Sequence, residues 1–233
     1  LPAVLLLASG ALDALSLSKE YVNRQEVFNA AGQRHLQIVF SALLPALAIG
    51  VPLGVAAARS KALAGPLFAV LNIIQTVPSI ALFALLIAPL GALAALLPAL
   101  GLKGIGLLPA AIALTLYALL PIVHGTASGL AQVPTSAVEA ATGIGMTRRQ
   151  SFWRVRVPLA LPVLLSGLRV TTVQVIGLAV VAALIGAGGF GALVFQGLSS
   201  SALDLVLLGV LPVLAMAMAA DAALGLLATV VQR

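Results

Sequence analysis

Apolar residues run along this chain in long blocks, and polar residues are confined mostly to the gaps between them. Five blocks, at about 37–58, 66–90, 105–126, 159–186 and 204–230, are near or above the ~20 residues a helix needs to cross ~30 Å of hydrocarbon. A shorter block, Leu1 to Leu17, reads as the tail of a preceding span. It is too short to cross comfortably alone; a cleaved signal peptide is the other reading, although the sequence holds no basic n-region before it. The pattern predicts an all-α integral membrane protein, a polytopic helical bundle of five spans plus a partial N-terminal one. Residues 1–34 form the partial span with an external segment, and 35–233 a single transmembrane domain.

Composition agrees: 62% of residues are hydrophobic and 8% charged, where soluble domains carry about a quarter charged. With no cysteine, disulfides and thiolate metal sites are excluded. The net charge of +6 is no nucleic-acid footprint, because the basic residues flank spans rather than cluster on a soluble face. Their placement instead sets an orientation. Arg59 and Lys61 follow the first block, four arginines follow the third, and Arg233 follows the fifth. If the spans alternate, all lie on one side, which the excess of positive charge makes cytoplasmic. Lys103, Asp204 and the mixed-charge segment Ser18 to Arg34 fall on the other side. The prolines and glycines inside the blocks, among them Gly50, Gly54, Pro121 and Gly167, suit membrane helices that approach closely.

The gap at 134–158 is the most polar break between the blocks and the richest in arginine. Ser136 and Glu139 have the spacing of a capping box, which predicts a short helix starting near Ala137. Gly145 suits the left-handed residue that ends a helix. Thr147 and Gln150 form a second capping box, and Pro158 is expected to close the short helix that follows. Arg148, Arg149, Arg154 and Arg156 read either as headgroup contacts or as a specific docking surface. Within this gap, Glu139-Ala140-Ala141, then Gly145 after three residues, then Val155-x-Val157-Pro158 after nine more, resembles the EAA loop of permease subunits in ATP-binding-cassette importers. The departures are valines at 155 and 157, where the family pattern has isoleucine and leucine. The resemblance implies the type I importer permease fold, and a role in coupling to the ATPase for Glu139, Ala140, Ala141, Gly145, Val155 and Pro158.

Polar groups inside the blocks need a partner or a purpose. Asn72, Gln75 and Thr76 share one helical face by their spacing. Pro78 follows, where it can free the carbonyl of Ile74 and kink the helix, and Ser79 comes next. Thr171, Thr172 and Gln174 make a second polar set. Asn72, Gln75, Thr76, Pro78, Ser79, Thr172 and Gln174 are candidates for a translocation path, or for hydrogen bonds between packed helices. The glycine-rich stretch Ile185 to Gly191 predicts a break or a close backbone approach, as a gate, a dimer contact or a plain helix end. Arg169 and Asp221 are the two charges deep in the full spans and lie at similar depth from their ends, so they are expected to pair. His35 and His124 are far apart and form no metal site. No Walker A sequence is present, so this chain is not expected to bind and hydrolyse ATP by that route.

The resemblance extends beyond the loop. The runs Asn72 to Ile87, Tyr117 to Val123, Gln174 to Gly177 and Ala182 to Gly189 are similar to the osmoprotectant branch of these permeases, which moves glycine betaine, choline and carnitine. It covers most of the chain from about His35 onward. The implied partners are a second permease copy in a homodimer, two ATPase subunits that carry ATP and Mg, and an external substrate-binding protein. The implied place is the inner or plasma membrane of a prokaryote, with a cytoplasmic C-terminus. Methionine-type and other amino-acid permeases share the loop and are the nearest alternative. An ion-coupled secondary transporter and a membrane scaffold are the other classes. Aromatic residues are 4% of the chain, and the spans show no aromatic cage for a quaternary ammonium.

Overall fold

In a computed structural model of the chain, the structure describes residues 16–231. The expected span tail at Leu1 to Leu17 lies almost wholly outside the described residues. The helices are α1 (Ser16–Asn23), α2 (Gln25–Arg59), α3 (Lys61–Thr76), α4 (Ser79–Leu96), α5 (Leu107–Ala131), α6 (Thr135–Gly143), α7 (Arg148–Ser151), α8 (Val157–Val181), α9 (Phe190–Ser199) and α10 (Leu203–Val231). A π turn (Phe152–Arg156) leads into α8, and short 3₁₀ segments follow α4 and α8. Among the described residues, five helices are long and apolar enough to cross a membrane: Gln25–Arg59, Ser79–Leu96, Leu107–Ala131, the continuous Arg148–Ile185, and Leu203–Val230. The described residues contain no strand, and the all-α membrane class holds.

Two changes to the expected boundaries fall in the first two blocks. The first span begins at Gln25 rather than near residue 37. Its 35 residues reach about 52 Å at 1.5 Å per residue. Hydropathy misses this polar extension because only one stripe of it is buried. Ala31, His35, Ile38 and Val39 are buried, at the spacing of one helical face. The second change divides the block expected at 66–90. Helix α3 ends at Thr76, and Val77 turns extended at φ −70°, ψ 126°. The residue before a proline is driven out of the helical region, so Pro78 produces a break where a kink was expected.

The chain forms two compact units. The first contains the described residues up to 40, with 79–111 and 176–216. In it α9 packs closely on α10: a Cβ built on Gly209 would lie 2.9 Å from the Phe190 carbonyl oxygen, and one on Gly197 would lie 2.6 Å from the Val206 nitrogen. The second contains 41–78, 112–175 and the described residues from 217 onward. Its core gathers Leu71, Leu119 and Val123 with Leu53, Leu67 and Phe68. Helices α5 and α8 meet at glycines, where a Cβ on Gly125 would lie 3.4 Å from the Gly167 Cα. Small residues at such crossings are how membrane helices gain close packing without a hydrophobic drive between them.

The α2–α5 crossing in the second unit is tighter. A Cβ on Gly54 would sit 2.5 Å from the Thr126 Cβ and 2.8 Å from the Val123 carbonyl oxygen. The second neighbour is backbone and cannot rotate away. Gly54→Val is therefore expected to force the helices apart, at about 1–3 kcal/mol or more for overpacking. Thermal unfolding in detergent checks this, with Gly65→Ala as control, since nothing lies within 4 Å of a Cβ there. A Gly54→Val melting temperature equal to the control's would contradict the crossing.

Candidate functional site

The site is an elbow joining α5 to α8. Its first helix, α6, starts at Thr135 with Pro134 as N-cap and no side-chain cap. The predicted Ser136–Glu139 capping box does not form, because Ser136 already lies within the first turn. Pro134 has its φ preset at −58°, and its carbonyl accepts from the Ala137 and Val138 amides at 3.2 and 3.4 Å. Glu139 is exposed and thus presented rather than spent on capping.

The far end of α6 closes as the sequence suggests. Gly145 has φ +83°. Its amide donates to the Thr142 carbonyl at 2.9 Å, and the Met146 amide donates to the Ala141 carbonyl at 3.0 Å. These are the two bonds of a Schellman motif. The second helix opens with a full capping box: the Gln150 amide donates to Thr147 Oγ1 at 3.3 Å, and the Thr147 amide to Gln150 Oε1 at 2.9 Å.

Pro158 does not close this second helix, contrary to expectation. The helix runs on from Arg148 to Ile185. The Val157 amide reaches back five residues to the Phe152 carbonyl, and this wider turn absorbs the donor that Pro158 lacks. Val155 is half-buried in that turn and Pro158 is exposed just after it.

The elbow has two faces. Ala141 is buried at 3% exposure and ties α6 to the chain. Glu139, Ala140, Gly143 and Ile144 face outward, and Ile144 is 75% exposed. Ile144 is thus a large apolar side chain displayed on a polar elbow. Sequence reasoning passed over Ile144, although an isoleucine between two glycines was a readable signal. It also read Arg59 only as an orientation marker. Arg59 stacks over the Phe152 ring at 4.7 Å, a cation–π contact holding the elbow to α2.

The candidate path residues divide. Gln75 Nε2 donates to the Tyr117 carbonyl at 2.7 Å, which is the helix-to-helix bonding of the second reading. Thr76 Oγ1 donates to Ile73 within its own helix at 2.7 Å, and Thr172 Oγ1 to Leu168 at 2.8 Å. The Ile74 carbonyl is not freed, since the Val77 amide donates to it at 3.3 Å. Asn72 and Pro78 are exposed, while Ser79, the first residue of α4, and Gln174 are half-buried. The Tyr117 hydroxyl donates to the Val77 carbonyl, so Tyr117 and Gln75 brace the end of α3 from both directions. Tyr117→Phe removes one of these bonds and should cost about 1 kcal/mol, read as a lower melting temperature in detergent. No change would show that the brace is not made.

Arg169 and Asp221 are brought together. Arg169 Nε donates to Asp221 Oδ1 and Nη2 to Oδ2, a two-pronged pair. It is well exposed, with side chains 45% and 40% accessible. In the first unit, His35 is fully buried, and its Nε2 donates to the Ile176 carbonyl at 3.1 Å. Arg34 Nε donates to the Ala187 carbonyl at 2.8 Å. These two side chains meet the glycine-rich stretch, where Gly186, Gly188 and Gly189 have φ of +77°, +81° and +76°. A Cβ on Gly189 would lie 3.1 Å from His35 Nδ1. The stretch is thus a close backbone approach, and His35 serves it. Sequence reasoning weighed His35 only as a metal ligand.

Helices that cross a membrane, joined by a capped extramembrane elbow bearing the EAA spacing, define a transport permease subunit. The chain belongs to the family described as binding-protein-dependent transport system inner membrane component, which matches residues 50–233. It is 43% identical over 188 residues to the osmoprotectant import permease protein OsmW of Salmonella typhimurium, covering 81% of this chain and 84% of that protein. It is 36% identical over 199 residues to the glycine betaine/carnitine/choline transport system permease protein OpuCB of Bacillus subtilis, covering 85% of each. Among solved structures, an inward-facing MetNI methionine ABC transporter superposes with a TM-score of 0.78 at 22% identity, over 90% of this chain and 98% of that one. That likeness shows the fold.

Proposed function

We propose that this chain is the membrane-spanning permease subunit of an ATP-driven importer for quaternary-amine osmoprotectants of the glycine betaine, choline and carnitine type. The observation that carries the substrate class is the 43% identity to an osmoprotectant permease across most of both chains. The structural likeness to a methionine importer is far lower in sequence, at 22%, and bears on fold alone. The working assembly is a homodimer of residues 35–233 with two ATPase subunits and an external binding protein. The ATP and Mg belong to the ATPases, and this chain carries no catalytic residue. The elbow at 134–158 is the docking point. Glu139, Ala140 and Ile144 meet the ATPase, Ala141 holds α6 to the spans, and Gly145 sets the turn; Val155 and Pro158 lie where the elbow re-enters α8. Arginine and lysine flanking the spans put the elbow and the C-terminus in the cytoplasm. Closure of the ATPases on ATP then moves the elbow and opens the path toward a loaded binding protein. Asn72, Gln75, Thr76, Pro78, Ser79, Thr172 and Gln174 remain the proposed path residues.

The test is uptake by cells expressing the full system, against glycine betaine, choline, carnitine and methionine. Saturable uptake of the quaternary amines is expected. Uptake of methionine alone would discard the substrate class and keep the permease.

A further inference from the structure

On the side of the elbow away from Glu139, a cleft of about 1140 Å³ opens within the second unit. Its walls are the ends of α2 and α5, the start of α8, and the inner face of α6 at Val138 and Thr142. Most of the lining is apolar, from valine and leucine with Pro52, Met146, Phe152, Trp153 and Ala160. The charged residues are Arg59, Arg148, Arg149 and Arg156, and no carboxylate lines the cleft. Among the described residues none of the four arginines has an ion-pair partner. Ser151 and Thr126 also line it, 6% and 2% exposed. Their hydroxyl oxygens are buried and have no hydrogen-bond partner.

We propose that the cleft is a binding site for an anionic phospholipid. The phosphate would face the four arginines and the acyl stem would lie along the apolar wall. Each half of the lining supports one half of that ligand. A free phosphate would leave the apolar wall uncovered, and a neutral lipid would leave four cations without a counter-charge. Basic pockets between membrane helices bind anionic headgroups in this way. The site uses the opposite face of α6 from the proposed ATPase contact and stands without it. It would fix the elbow to the membrane surface.

Trp153 lines the cleft and is the chain's single tryptophan, so its fluorescence reports occupancy. The full chain in detergent micelles is titrated with brominated phosphatidylglycerol. Saturable quenching is expected, reversed by unlabelled phosphatidylglycerol and unaffected by millimolar inorganic phosphate. The Arg149→Gln/Arg156→Gln variant should shift half-saturation by roughly tenfold or more. Both side chains are exposed, so far-UV circular dichroism should show an unchanged fold. Three results would overturn the proposal. Equal quenching by brominated phosphatidylcholine with no arginine dependence would mean ordinary annular contact. Displacement by inorganic phosphate would mean an anion site without a lipid requirement. No quenching would leave the cleft to a protein segment.

Discussion

Gly145→Pro is expected to abolish transport while leaving the chain in the membrane. Gly145 sits at φ +83°, whereas a proline ring fixes φ near −65°. The change also removes the amide that donates to the Thr142 carbonyl at 2.9 Å. With that residue displaced, the companion bond from Met146 to Ala141 is lost as well. The end of α6 then unwinds, and Ile144, one residue earlier, loses its fixed position on the outer face. Proline at an incompatible backbone position costs on the order of 3 kcal/mol, enough to weaken an elbow-mediated contact by more than tenfold. A graded series separates strain from bulk. Nothing lies within 4 Å of a Cβ at Gly145, so Gly145→Ala meets no clash and pays only the left-handed strain, about 1–2 kcal/mol. Gly145→Asn, better suited to that region, should lose least. Uptake falling in the order Asn, Ala, Pro, with co-purifying ATPase falling in parallel, is the expected reading. Uptake that is insensitive to all three would remove the elbow from the mechanism.

Breaking the Arg169–Asp221 pair is the second large effect. Either charge alone within a span is costly, and here each supplies both hydrogen bonds of the other. Arg169→Asp and Asp221→Arg are each expected to deplete folded chain in the membrane, because each puts two like charges side by side. The double exchange restores opposite charge at the same depth. It should recover most of the folded chain, judged by monodisperse elution in detergent. Recovery no better than the single variants would mean that the two residues act independently. The pair is accessible in the single chain, so the exchange also reports on whatever polar surroundings it faces in the assembly.

The spans were legible because hydrocarbon imposes length and apolarity residue by residue. What hydropathy could not show was where neighbouring contacts extend or end a helix. The α2 extension through His35 is polar in composition and helical because one stripe is buried. The Val77–Pro78 break lies inside a block long enough to read as one span, where the proline is the local signal for it. In the elbow, the local rules held at Gly145 and at Thr147–Gln150, where the bonds are made within a few residues. They failed at Ser136, where Pro134 had already set the helix start, and at Pro158, where a π turn carries the helix onward. The stacking of Arg59 on Phe152 depends on tertiary placement, which no local pattern encodes.

The most direct test of the central claim is ATP hydrolysis by the reconstituted complex, with its binding protein loaded or empty. The account predicts that a binding protein loaded with glycine betaine, choline or carnitine raises hydrolysis above the empty one, and that Gly145→Pro eliminates the increase. If no loaded binding protein alters hydrolysis, or no ATPase assembles on the intact chain, the coupling role of the elbow is contradicted.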